Sequence, residues 1–192
     1  MDPMTTSYAD DRAALIELIK ERAVIHEHVV LSSGLEADYY LDLRRVTLDA
    51  EVAPLIGRVM LGLLESAGSL EGVQAAGGLT MGADPVGTAM LHQAAAQGRK
   101  IDAFVVRKEA KKHALARRIE GPEVSGRTVV AVEDTSTTGN SVLSAVEALR
   151  EAGATVAAVA VIVDRDTGAR ERVEAAGLPY LAAITTEDLG LA

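Results

Sequence analysis

The sequence predicts an α/β fold, doubly wound around a mainly parallel sheet. Three observations predict it. The runs "TVVAV" (128–132) and "TVAAVAVIV" (155–163) are almost wholly apolar, as strands covered on both faces are. Segments with apolar residues at helical spacing alternate with such runs, and several are closed by glycine. The two longest runs end in polar, glycine-bearing turns, which folds of this class place at the carboxyl edge of the sheet.

The elements follow in order. Residues 12–24 place Leu15, Ile16, Ile19 and Ala23 on one helical stripe. "SSGLEADYYLDLRR" (32–45) opens with turn formers and becomes extended over 39–43. Residues 50–66 give the clearest helix, with Val52, Leu55, Ile56, Val59, Met60, Leu63 and Leu64 at i, i+3, i+4 spacing. "GVQAAGG" (72–78) reads as a short strand. A helix over 83–98 follows, with Asp84 as N-cap, Pro85 in the first turn and Gly98 at its end. "IDAFVVR" (101–107) is a strand, and 108–126, basic and broken by Gly121, Pro122 and Gly126, reads as a long mobile loop.

The remaining chain repeats the alternation. A buried strand over 127–134 leads to a helix over 140–152 carrying Val142, Leu143, Val146 and Leu149. A strand over 155–165, a short helix over 169–177 and a strand over 179–185 complete it. Without an internal repeat, low-complexity tract or linker, residues 1–192 read as one domain.

Composition narrows the function. A net charge of −9 and a pI near 4.9 argue against a nucleic-acid scaffold. With no cysteine, there is neither a disulfide framework nor a thiolate metal site. The polar, acidic start "MDPMTTSYADDR" is not a signal peptide, and no apolar stretch is long enough to span a bilayer, so a cytoplasmic location is expected. Positive charge is nevertheless concentrated between residues 99 and 118, where Arg99, Lys100, Arg107, Lys108, Lys111, Lys112, Arg117 and Arg118 lie. Such a cluster is either a solvated loop or a local anion site.

The chemistry gathers in "VVAVEDTSTTGNS" (129–141). Val129, Val130, Ala131 and Val132 form a strand that delivers Glu133 and Asp134 to its carboxyl end. Residues 135–139 turn the chain, and a helix beginning near Asn140 points unpaired N–H groups back at that turn, a ready phosphate site. Thr135, Ser136, Thr137 and Thr138 add hydroxyl donors. A phosphate alone has no use for the acid pair, but a phosphorylated sugar does. Carboxylates accept hydrogen bonds from a vicinal diol and stabilise positive charge developing on a ribose ring.

"VVAVEDTSTTGNS" resembles the 5-phosphoribosyl 1-diphosphate (PRPP) signature of the type I phosphoribosyltransferases. "VVRKEAKKH" (105–113) is similar to the catalytic-loop segment of the orotate phosphoribosyltransferase family. "SSGLEADYYLDLRR" resembles that family's N-terminal segment, and "DRDTGARE" (164–171) its segment after the following strand. The resemblance spans most of the chain. It implies the type I phosphoribosyltransferase fold, with residues of about 1–48 forming part of a hood over the base. It also implies a pentosyltransferase that moves ribose 5-phosphate from PRPP to orotate, giving orotidine 5′-monophosphate and diphosphate in pyrimidine biosynthesis.

Residue by residue, the resemblance implies that Glu133 and Asp134 contact the ribose hydroxyls. Thr135, Ser136, Thr137, Thr138, Gly139, Asn140 and Ser141 cradle the 5′-phosphate. Arg107, Lys108, Lys111 and His113 engage the diphosphate, with Lys111 near the tip of a closing loop. Thr137 and Arg165 contact orotate, the arginine pairing with its carboxylate. Lys111, Glu133 and Asp134 are the catalytic set, and the loop serves the neighbouring subunit of a homodimer. Mg²⁺ is implied, held mainly by PRPP oxygens and water rather than by a protein cage. The loop "GGLTMGAD" (77–84) corresponds to the family's diphosphate loop, with Met81 where some members carry lysine and backbone from Gly77 to Gly82 offering a phosphate nest. Ser32 likewise stands where some relatives have lysine. Two rivals are a phosphoribosyltransferase for a purine or another pyrimidine base and a non-catalytic PRPP sensor or RNA- or DNA-binding regulator on the same fold; the basic loop and acidic net charge argue against the second, and no nucleic-acid or membrane partner is expected.

Overall fold

The computed structural model describes residues 7–26, 29–30, 36–37, 39–109 and 118–191. Lys111 and His113 of the basic loop, and Ser32 of the N-terminal segment, lie outside them. The chain begins with α1 (Tyr8–Arg22), followed by the short strands β1 (Val24–Ile25), β2 (Val29–Val30), β3 (Glu36–Ala37) and β4 (Tyr40–Leu41). Helices α2 (Arg44–Thr47) and α3 (Val52–Ser66) come next, then β5 (Ala75–Leu79), α4 (Ala83–Ala96), β6 (Asp102–Val106) and β7 (Ile119–Glu120). The last elements are β8 (Thr128–Ser136), α5 (Asn140–Glu151), β9 (Thr155–Asp164), α6 (Ala169–Ala175) and β10 (Tyr180–Thr185).

Six strands form one sheet in the order β10-β9-β8-β5-β6-β7, all parallel except β7, which runs antiparallel to β6 at the edge. Alternate residues of one strand enter opposite cores. Val130 and Val132 of β8 join Leu15, Ile19, Ile56, Met60 and Met90 under α1, α3 and α4. Val129 and Ala131 join Phe104, Val146 and Leu149 under α5 and α6. Burial on both faces is why β8 and β9 read as continuous apolar runs. Each fully buried Leu or Ile in these layers contributes roughly 1.5–3 kcal/mol.

Local chemistry sets the helix starts. Ser7 and Asp10 form a reciprocal capping box at α1. The Asp49 carboxylate accepts from the N–H groups of Glu51 and Val52 (2.9 and 3.1 Å) where α3 opens. Leu15, Ile19 and Ala23 are buried as their stripe predicts.

Four expectations are corrected. Asp84 is not the N-cap of α4, because Gly82 occupies that position and Asp84 lies inside the first turn. The segment 108–126 is not all loop, since Ile119 and Glu120 add β7 to the edge of β6. Gly77 and Gly78 belong to β5 and pair with Phe104 and Val105, so a backbone nest there is limited to 80–82. Strand β8 does not stop at Asp134 either. Thr135 and Ser136 pair with Val163 and Asp164 of β9, leaving a turn of only three residues before α5.

Candidate active site

The long β8 carries Glu133 and Asp134 within regular strand, so their positions are fixed by backbone pairing to β9 rather than by a loop. The turn then reaches Gly139, which takes a left-handed φ of 75° and serves as N-cap of α5 without a side-chain cap. A residue with Cβ would be strained in that conformation. The first N–H groups of α5 therefore point at the turn with no capping side chain, the arrangement that suits a phosphate. Thr137 and Thr138 are exposed on the turn, whereas Ser136 is buried.

The acid pair is electrostatically unusual. Glu133 is buried at 6% exposure. Burial pushes its carboxyl up to about 8, and the charge of Asp134 pushes the same way. Asp134 is also raised by burial, opposed by the Thr135 N–H donating to its Oδ1 at 2.7 Å and by the charge of Arg44. No Lys or Arg among the described residues forms an ion pair with either carboxylate. Each carboxyl accepts a neighbouring backbone N–H, Glu133 Oε1 from Asp134 at 3.3 Å, and burial favours a proton on the pair, so the site suits an incoming positive charge that would take that proton's place. Gly82, at the start of α4, leaves the room for it: a Cβ there would overlap Glu133 Oε1 and come within 2.6 Å of Asp134 Oδ1.

A cavity of about 520 Å³ opens over the acids. Glu133, Asp134, Thr135 and Ser141 line it together with Lys108 at the end of β6 and Thr80, Met81 and Gly82 from the β5–α4 loop. Its roof comes from the N-terminal segment, with Tyr40, Leu41, Asp42, Leu43 and Arg44. Arg44, whose Nε donates to Asp42 Oδ1 at 3.1 Å, is a cation at this cavity that sequence reasoning passed over. The one signal for it was the "DLRR" ending of the extended segment. Arg107 does not line the cavity; it pairs with Glu120 at 3.6 Å. Thr137, Thr138, Gly139 and Asn140 form the turn beside the cavity rather than its wall.

Arg165 sits on the neighbouring turn, after β9. Its N–H donates to the Ser136 carbonyl (2.9 Å), which ties it to the end of β8. The flanking acids are engaged elsewhere: Asp164 Oδ1 accepts from the Asp166 N–H (3.0 Å), and Asp166 Oδ2 accepts from the Thr186 hydroxyl (2.9 Å). The Arg165 guanidinium makes no ion pair among the described residues and lies over the Tyr39 ring, 5.5 Å from its centroid. A half-buried arginine held in this way is an open fork for a carboxylate.

The architecture therefore joins an anion-binding turn, a largely buried acid pair and an arginine without an ion pair among the described residues at one sheet edge. Among the described residues, no helix is long and apolar enough to cross a membrane. The phosphoribosyl transferase domain model matches residues 78–176. Orotate phosphoribosyltransferase of Streptomyces avermitilis is 63% identical over 183 residues, covering 95% of this chain and 98% of the relative. Orotate phosphoribosyltransferase of Mycobacterium tuberculosis H37Rv, solved in complex with Fe(III) dicitrate, superposes with a TM-score of 0.85 at 54% identity over 94% of this chain and 99% of that one. The same enzyme solved in complex with PRPP gives 0.81 at 50% identity, over 94% and 99%. By fold, by domain and by identity along nearly its whole length, the chain belongs to the orotate phosphoribosyltransferase family.

Proposed function

We propose that this chain transfers the 5-phosphoribosyl group of PRPP to orotate, with the cavity over Glu133 and Asp134 as the site. The observation that carries this reading is the acid pair, Glu133 buried and Asp134 half-buried, set directly beside an uncapped helix N-terminus. The α5 N-terminus with Thr135, Ser136, Thr137, Thr138, Gly139, Asn140 and Ser141 holds the 5′-phosphate. Glu133 and Asp134 accept the ribose hydroxyls. Arg107, Lys108, Lys111 and His113 receive the diphosphate, Lys111 being the loop residue closest to the chemistry. Arg165 pairs with the orotate carboxylate, and Thr137 adds a hydroxyl to the base.

Cleavage of the C1′–O bond leaves positive charge on the ribose and negative charge on the departing diphosphate. The acid pair stabilises the first, and the basic loop the second, so both act on charge that exists mainly in the transition state. Closing the loop excludes water, which would otherwise capture the ribosyl cation. The oxygen donors around the acid pair are of the hard type that suits Mg²⁺. Glu133 and Asp134 are the carboxylates that would meet a Mg²⁺ carried in with PRPP, and such an ion would supply charge neutralisation at the diphosphate.

The same reading makes the protein a homodimer whose basic loop completes the neighbouring site, with the segment up to about residue 48 forming a hood. An apolar groove of about 710 Å³ between α2, α3 and α4, with Leu48 and Met81 exposed on it, supports an apposed subunit surface next to the cavity. The direct test follows orotate consumption spectrophotometrically with PRPP and Mg²⁺, beside uracil, hypoxanthine and adenine. Orotate alone is expected to be consumed; turnover of another base without orotate turnover would sink the reading.

A further inference from the structure

We propose that Asp166 and Thr186 are positioning residues for the base substrate: they latch the turn that aims Arg165. The proposal rests on the reading of Arg165 as the partner of the orotate carboxylate. Three observations carry it. Asp166 adopts a left-handed φ of 53°, and among the described residues it is the only one other than glycine to do so. Its carboxylate accepts from the hydroxyl of Thr186, a residue 6% exposed just beyond the end of β10. Arg165 itself is anchored from the other side by the Ser136 carbonyl. The guanidinium thus projects from a turn pinned at both ends, by β8 through Ser136 and by the C-terminal segment through Thr186.

The latch has an electrostatic consequence. An aspartate on either side of an arginine would ordinarily compete with a substrate carboxylate for it. Here Asp164 is turned to the Asp166 N–H and Asp166 to Thr186, so neither forms an ion pair with Arg165. The latch is backed in turn by the rest of the C-terminal segment. Asp188 accepts from the Thr185 N–H (2.9 Å) and pairs with Arg12 of α1 at 2.5 Å, and the Leu191 N–H donates to the Thr186 carbonyl (2.9 Å). The final turn of the chain, remote in sequence from every recognised motif, is by this account part of base recognition.

The test compares KM for orotate, KM for PRPP, kcat and melting temperature in a small set of variants. Thr186→Val and Asp166→Ala are expected to raise the KM for orotate about five- to tenfold with the KM for PRPP unchanged. Asp166→Asn, which tolerates the left-handed backbone and keeps an acceptor, should restore it to within about twofold. Asp166→Gly relieves the backbone but removes the acceptor, so it should fail like alanine. An unchanged orotate KM in Thr186→Val, or rescue by glycine, overturns the latch, as does a loss of melting temperature and kcat with no orotate-specific effect. Arg165→Ala, run in parallel, separates the two levels. If it raises orotate KM while the latch variants do not, the latch alone is wrong. If it leaves orotate KM unchanged, the role of Arg165 is wrong and the latch falls with it.

Discussion

The turn from β8 to α5 and the turn from β9 to α6 lie on adjacent parallel strands, and each enters its helix through a left-handed glycine, Gly139 at φ 75° and Gly168 at φ 96°. Both carry two acids within three residues. In the first, buried Glu133 and half-buried Asp134 lie side by side, and no Lys or Arg among the described residues pairs with them. In the second, Asp164 and Asp166 bind backbone and hydroxyl donors, and the arginine between them is left open. The two turns share backbone geometry and acid content, yet present opposite charge. What distinguishes them is not hydrogen bonding, since all four acids accept from N–H or hydroxyl donors, but the arginine: the first pair has none between its members, and the second flanks an open one. The first turn is suited to a ribose that becomes cationic, the second to a substrate that arrives as an anion.

The comparison breaks most sharply at Asp134. Asp134→Asn keeps the shape and one acceptor oxygen for the Thr135 N–H but removes the charge proposed to face the ribosyl cation. We expect kcat to fall by about 10²–10³, with KM for orotate little changed. Arg165→Ala should show the reverse split. A large rise in orotate KM in Asp134→Asn would mean that the two turns do not divide the labour. Mixing Asp134→Asn with Lys111→Ala subunits extends the test, because recovered activity in the mixture requires a loop exchanged between protomers.

A smaller effect is expected at Gly82. A methyl group there would overlap Glu133 Oε1 and crowd Asp134 Oδ1, and the buried glutamate has little room to retreat. Gly82→Ala should raise KM for PRPP about tenfold and leave orotate recognition intact, measured by steady-state kinetics with each substrate varied. Unchanged PRPP kinetics would show that the acids do not work at the position seen here.

How much of this was legible in the sequence follows from the same residues. The alternation of elements, the doubly covered strands and the "EDTSTTG" turn could be read directly, because period and turn chemistry are local signals. The true end of β8 could not, since Thr135 and Ser136 are polar and join the strand only because β9 offers partners. Likewise, nothing local marks Gly82 as the neighbour of Glu133 or Thr186 as the partner of Asp166; 51 residues separate the first pair and 20 the second. The roles assigned to Lys111 and His113 rest on the resemblance of their loop, which lies outside the described residues. Arg165 illustrates the division well. Its anion partner is implied by the resemblance of "DRDTGARE" alone, and only the structure shows its neighbouring acids turned away.

The smallest effect concerns stability and turns on the raised carboxyl of Glu133. Its ordinary value is 4.5, and in the folded chain it lies at about 8. Below 4.5 the folded and unfolded chains both hold the proton, so the group does not discriminate between them. Between these values the unfolded chain loses the proton that the folded chain keeps, so stability falls as pH rises. Above about 8 the full penalty of a buried charge beside Asp134 is in force, on the order of a few kcal/mol. Glu133→Gln removes that charge while keeping the shape of the side chain. Without ligand, the variant should match the parent's melting temperature at pH 5 and exceed it by at least about 4 °C at pH 9. Catalysis should suffer in the same variant, because the charge that burdens the free chain is the one proposed to stabilise the ribosyl cation. Equal melting at pH 9 would mean that Glu133 carries no such burden, and the contrast between the acid pair with no arginine and the pair that flanks Arg165 would lose its energetic half.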